Sequence, residues 1–170
     1  NKGVSNSRNL GIKSSVGDYI IFLDSDDYLE KFSLHKLSKF IGKNKNADTI
    51  VTPHNANSDG KFFNKKITKI NSNDAKIKYI SEIPYFIGYC WRFVTKRIFL
   101  ETNKIFFMDD ARQFEDEEFV CKLFFFSKLI VFFNKKYYFK SIQGHTNLGN
   151  TIDFNTIKSC IVVLKGLLKL

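Results

Sequence analysis

Nine of the seventeen carboxylates in this 170-residue chain fall in two short segments. Asp24, Asp26 and Asp27 form one group; Asp109, Asp110, Glu115, Asp116, Glu117 and Glu118 form the other. Crowded carboxylates repel unless cations, hydrogen bonds or protons compensate, so each group calls for a reason. The first follows an apolar run, Tyr19 to Leu23. Two aspartates spaced D-x-D at a strand end can give oxygen ligands to one divalent cation that also holds phosphate oxygens. A solvated turn whose aspartates cap the next helix would carry the same residues. A calcium loop starting at Asp24 would need Gly sixth and Glu twelfth, where Leu29 and His35 stand. An aspartyl phosphotransferase of the haloacid dehalogenase type also places D-x-D after a strand, but usually continues with Gly-Thr where Asp27 and Tyr28 stand here. The second group opens a helix, where unpaired amides and the helix dipole stabilise acids. Neighbouring acids also raise one another's pKa, which makes one of them a usable base.

The elements that position these groups alternate in type. Ser5 is expected to cap a helix running towards Ser15, with Gly17 ending it in a left-handed conformation. Tyr19 to Leu23 reads as a strand buried on both faces, with the D-x-D at its carboxyl end. A helix with Leu34, Leu37, Phe40 and Ile41 on one face follows. Ala47 to Pro53 reads as a strand, Asn55 to Gly60 as a turn, and Ser72 to Ile83 as a helix closed by Pro84. Tyr89 to Phe93 reads as a strand, with Thr95 capping a short helix. Ile105 to Met108 reads as extended, the stretch after Phe114 as helical, and Leu129 to Phe133 and Tyr137 to Phe139 as strands. Asp153 caps a last helix. Alternation of this kind indicates an α/β layer fold.

Composition sets the outer bounds. One domain is expected, with residues 151–170 as a C-terminal helix. Twenty-seven basic against seventeen acidic residues give a net charge of +10, which favours contact with phosphates without choosing among them. Three cysteines without metal-type spacing suggest buried thiols in a reducing compartment. The chain starts on a turn-like segment without Met, so an upstream part is expected.

The stretch NKGVSNSRNLGIKSSVGDYIIFLDSDDYLE, residues 1–30, resembles the central part of family 2 glycosyltransferases of GT-A fold. Their pattern is an N-x-G loop, an A-R-N-x-G helix, a G-x-Y-I turn into a strand and then L-D-x-D-D; Ser7 stands here where Ala is usual. The later CWRFVTKRIFLETNKIFF and FEDEEF are similar to the family's Trp-containing acceptor region and its Glu-Asp motif, and YYFKSIQGHTN to its Tyr-rich strand and loop. The resemblance implies a mostly parallel sheet flanked by helices, with its first βαβ units absent, and with residues 1–54 serving nucleotide and metal, 55–150 serving acceptor and base, and 151–170 forming a C-terminal helix. It implies transfer of a sugar from a nucleoside-diphosphate donor to a hydroxyl of a glycan or lipid-linked acceptor, with inversion. Arg8 and Asn9 would serve the nucleotide. Asp24 and Asp26 would bind the donor and a Mg²⁺ or Mn²⁺ ion, with His145 as a further metal contact. Asp116 would be the general base, Glu115 would position the acceptor, and Trp91 would be a stacking platform or a core residue. No nucleic acid partner is implied. The setting is cytoplasmic, with a peripheral membrane contact through residues 151–170 open beside simple packing. Two rivals remain: a phosphotransferase using Asp24, and a non-catalytic domain binding phosphate-rich ligands.

Overall fold

A computed structural model of the chain describes residues 3–52, 69–82, 89–109, 114–135 and 138–139. The turn expected at Asn55 to Gly60, His145, Asp153 and the C-terminal helix lie outside them. The described elements are α1 (Val4–Ser14), β1 (Tyr19–Ile20), β2 (Tyr28–Leu29), α2 (Ser33–Lys43), β3 (Thr49–Val51), β4 (Lys69–Ile70), α3 (Asn73–Glu82), a 3₁₀ turn (Cys90–Arg92), β5 (Phe93–Lys96), α4 (Arg97–Thr102), α5 (Glu115–Phe126), β6 (Ile130–Phe132) and β7 (Tyr138–Phe139).

Five strands form one sheet in the order β1-β5-β3-β6-β4, and β2 pairs with β7 in a second, two-stranded sheet. In the larger sheet only β3 and β6 run parallel. The pairs β1–β5, β3–β5 and β4–β6 are antiparallel. The mostly parallel GT-A sheet implied by the resemblance therefore does not hold for the described residues, and β1 stands at an edge rather than in the interior. Burial along the apolar run explains the error. Ile20 and Phe22 are buried, Tyr19 and Ile21 only partly, and Leu23 is 49% exposed. That alternation marks a strand with one dry face, not a strand covered on both sides.

Local expectations shift in similar ways. Ser5 lies inside α1, its hydroxyl buried without a hydrogen-bond partner, while Gly3 occupies the cap position at φ 85°. Gly17 is not left-handed. Instead the left-handed positions are Phe32, Phe114 and Lys104, the two phenylalanines standing immediately before α2 and α5. Leu34 is 52% exposed, so the buried stripe of α2 is Leu37 with Phe40 and Ile41 half-buried. The strand expected at Tyr89 to Phe93 begins only at Phe93, and Thr95 is a buried strand residue; the position before α4 is Lys96.

The core gathers on the sheet and α5, where Phe119, Val120, Leu123 and Phe124 are buried. Three of its rings matter for the site. Phe107 and Phe119 stack at 4.0 Å, and Phe22 meets both edge-on at 5.2 and 5.6 Å. Phe22 precedes Asp24 by two residues, and Phe119 lies one helical turn beyond Glu115 and Asp116. The ring cluster thus ties the two acidic segments to one apolar base.

Candidate functional site

One arginine joins the two carboxylate groups. The Arg8 guanidinium donates from Nη2 to Asp24 Oδ1 at 3.0 Å, and from Nη1 to Asp116 Oδ1 at 2.6 Å and Glu115 Oε1 at 3.2 Å. Its carbon lies 5.3 Å from the centre of the Phe107 ring. The planar fork suits this task, because its donors diverge towards separate acceptors where an ammonium would present one compact charge. Arg8, Glu115 and Asp116 keep only 13–15% of their side-chain surface exposed, whereas Asp24 keeps 36%. Burial opposes the Arg8 charge, yet the facing groups at Cys90, Asp116 and Asp24 hold its pKa above the ordinary value.

Asn9, the next residue on α1, faces the extended segment before α5. Its amide donates to the Phe107 carbonyl at 2.9 Å and to Asp109 at 3.2 Å, and its oxygen accepts the Phe107 N–H at 2.8 Å. Asn9 therefore fixes the backbone under Arg8, in the way a neighbouring strand would.

The acidic first turn of α5 divides by helical direction. Glu115 and Asp116 face Arg8, while the buried Glu118 pairs with Lys122, which also donates to the Phe106 carbonyl. Asp116 is held at both oxygens: Oδ1 accepts from Arg8 and Oδ2 accepts the Cys90 N–H at 3.2 Å. Burial raises the pKa of Asp116, with Arg8 and Cys90 pulling the other way. Burial and then Asp116 raise Glu115, and burial raises Glu117. The Cys90 thiol is itself pushed well up, by burial first and Asp116 next. A carboxylate offers about four lone-pair directions. Arg8 and the Cys90 N–H occupy two at Asp116, which leaves room for a hydroxyl.

Of the residues singled out in the sequence, the structure thus brings Arg8, Asp24, Glu115 and Asp116 together, with Asn9 bracing them. Asp26 is exposed on the turn beyond Asp24. Trp91 keeps 3% of its surface and stacks on the half-buried Tyr89 at 5.4 Å, so it sits in the core. His145 lies outside the described residues. Cys90 escaped notice in the sequence because its main contribution is a backbone N–H, which has no residue signature. Phe107 was hidden among many phenylalanines. Among the described residues no three His, Cys, Asp or Glu side chains form a metal-binding group, and no helix is long and apolar enough to cross a membrane.

Residues 1–114 match the family described as glycosyl transferase family 2. The chain belongs to that family. The match includes Arg8, Asn9, Asp24 and Asp26 and ends just before α5. Among curated proteins, the chain is 30% identical over 131 residues to the uncharacterised glycosyltransferase EpsJ of Bacillus subtilis, covering 73% of this chain and 38% of that protein. It is 33% identical over 121 residues to the poly(ribitol-phosphate) beta-N-acetylglucosaminyltransferase TarP of Staphylococcus aureus, covering 71% of this chain and 36% of that protein. Among solved structures, S. aureus TarS in complex with UDP-GlcNAc superposes with a TM-score of 0.75 at 19% identity, over 98% of this chain and 47% of that one. The complex of TarS with UDP gives 0.66 at 22% identity, over 83% and 40%. These likenesses show a shared fold. The chain spans less than half the length of each of these relatives.

Proposed function

We propose that this chain carries the part of a glycosyltransferase that meets the donor diphosphate and the attacking hydroxyl. The observation that carries the reading is the Arg8 bridge, which places the D-x-D aspartate Asp24 and the helix-start pair Glu115–Asp116 on one guanidinium. The D-x-D lies within the family match, which disfavours the phosphotransferase alternative. TarS was captured with UDP-GlcNAc, so a nucleoside-diphosphate sugar is the donor class we assign. TarP and TarS are named for a poly(ribitol-phosphate) acceptor, which puts phosphate-bearing polyol chains beside glycans and lipid-linked sugars as acceptors.

In the reaction, the acceptor hydroxyl oxygen forms a bond to the anomeric carbon from the face opposite the diphosphate. The bond from that carbon to the diphosphate oxygen breaks, and its electron pair leaves with the diphosphate. The hydroxyl proton passes to Asp116, which burial makes a stronger base than a free carboxylate. Arg8 and the Cys90 N–H keep that carboxylate oriented. Glu115 flanks it and positions the acceptor. Arg8 serves the donor through Asp24, which it holds in place. The donor set fits a hard cation, since Asp24 and the exposed Asp26 offer carboxylate oxygens two residues apart. They would hold Mg²⁺ or Mn²⁺, which would offset charge on the leaving diphosphate. Free thiols at Cys90 and Cys121 accord with a reducing, cytoplasmic setting.

The test is a transfer assay on the protein that carries this chain, with a panel of nucleotide sugars and release of nucleoside diphosphate as the readout. Asp116→Asn should cut transfer by about 10²–10⁴-fold while donor binding stays nearly intact. Glu115→Gln and Glu117→Gln should cost less. If Glu117→Gln proves the most damaging of the three, the base assignment is wrong.

A further inference from the structure

Along β6 and the end of α2 runs a groove of about 700 Å³ that shares no residue with the Arg8 site. Lys43 and Lys45 line it from the end of α2 and the connection to β3, Lys69 from β4, and Lys135 from the segment after β6. All four are exposed, none is ion-paired with a described residue, and no acid is among the lining residues. Phe40 and the buried Phe133, with ring centres 5.2 Å apart, add apolar lining. Four like charges around one concavity repel each other, and an anionic occupant relieves that repulsion.

We propose that this groove seats an anionic acceptor polymer, a chain of polyol units joined by phosphodiesters. Its phosphates pair with the lysines and its carbon segments lie against the part of Phe40 that stays open to the groove. Several phosphates on one chain match four lysines better than a single phosphate does, because each further pair forms at the high effective concentration set by the first. A nucleic acid strand fits less well. Base stacking needs an open aromatic face, and Phe133 keeps only 2% of its surface while Phe40 is half-buried. A bilayer surface is flat and meets a concave wall poorly. That the bound chain is an acceptor rests on the transfer reaction proposed above; the binding itself does not.

The experiment uses this chain and a short synthetic, labelled poly(polyol phosphate), with fluorescence anisotropy at low and physiological salt. Binding should weaken as salt rises. Each of Lys43→Gln, Lys45→Gln, Lys69→Gln and Lys135→Gln should weaken it by about two- to fivefold, the effect of one exposed ion pair. Gly42→Glu should weaken it as well, because a Cβ at that lining position meets no atom within 4 Å, so the charge enters without a clash. Lys13→Gln, outside the groove, should leave it unchanged, and thermal melts should confirm that all variants fold. Absence of binding, equal binding by the groove variants, or tighter binding to single-stranded DNA or anionic vesicles of matched charge would overturn the proposal. If the oligomer binds through the groove but no sugar is transferred, the reaction fails and the groove stands. If transfer proceeds while groove variants bind like the parent, the groove fails alone.

Discussion

Replacing Arg8 with methionine keeps much of the apolar stem and removes a cation that Asp24, Glu115 and Asp116 share. Removing one partner of a fully buried ion pair costs about 3–5 kcal/mol. The acids of α5 are mostly buried, but Asp24 keeps 36% of its side-chain surface, so water recovers part of the loss and about 2–4 kcal/mol is expected. For a domain of this size that lowers Tm by roughly 4–16 °C. The pH dependence carries the sharper test. Burial already raises Glu115 and Asp116 in the folded chain, so the native state binds their protons more tightly than the unfolded state does. Their contribution is therefore fully present below the unfolded carboxyl values, near pH 4, and is lost as pH rises through the folded ones. Without Arg8 those pKa values climb further and the window of loss extends upward. The deficit of Arg8→Met should then be largest near pH 8 and shrink towards pH 5. Thermal melts of parent and variant across that range measure it. A deficit under about 1 kcal/mol at pH 8, or one that grows towards acid, would refute the claim that Arg8 is the site's counter-charge.

Two further outcomes follow from particular residues. Asp26→Asn should weaken divalent-cation-dependent donor binding strongly, because a neutral amide is a poorer ligand for a hard cation; calorimetric titration of donor with and without Mn²⁺ reads this, and an unchanged cation effect would remove Asp26 from the metal role. Phe32→Asn should stabilise the chain by about 0.5–1.5 kcal/mol, since Asn tolerates the left-handed region and caps helices well, whereas Phe32 sits there at φ 62° with 67% of its surface exposed. An unchanged or lower melting temperature would show that the phenylalanine conformation carries no strain.

Side-chain chemistry was more legible in the sequence than chain geometry. Asp24 and Asp116 are ninety-two positions apart, yet their types, their crowding and the family resemblance all marked them, and Arg8 brings both to one point. Strand direction could not be read the same way. With strands of two to four residues, an apolar run fits a parallel or an antiparallel partner equally. The identity of the partner decides, and β5 enters between β1 and β3 from a segment more than seventy residues beyond β1. Helix starts failed for a related reason. Ser5 has a good capping side chain, but its hydroxyl is buried inside α1 while the backbone freedom of Gly3 makes the turn. Nothing about phenylalanine announces a left-handed residue before α2 or α5, yet Phe32 and Phe114 both take that conformation.

The distribution of charge gives the two sites different tasks. Among the described residues, three carboxylates meet the Arg8 guanidinium, an excess of two negative charges if all are ionised, in a chain whose net charge is +10. A diphosphate arriving there meets repulsion unless a cation comes with it or the carboxyls hold protons. Burial raises the pKa of both Glu115 and Asp116, with Arg8 opposing it, so these carboxyls hold protons more readily than free ones. Acids this closely packed cannot attract an anionic chain; the four lysines of the groove can, from residues the site does not share. If one charge pattern served both purposes, the lysines would pair with the very carboxylates that must stay available to a cation and a hydroxyl. Separating them lets an anionic polymer be held by one surface while its hydroxyl is presented to another. The reach between the two then becomes a property of the polymer's repeat length as much as of the protein.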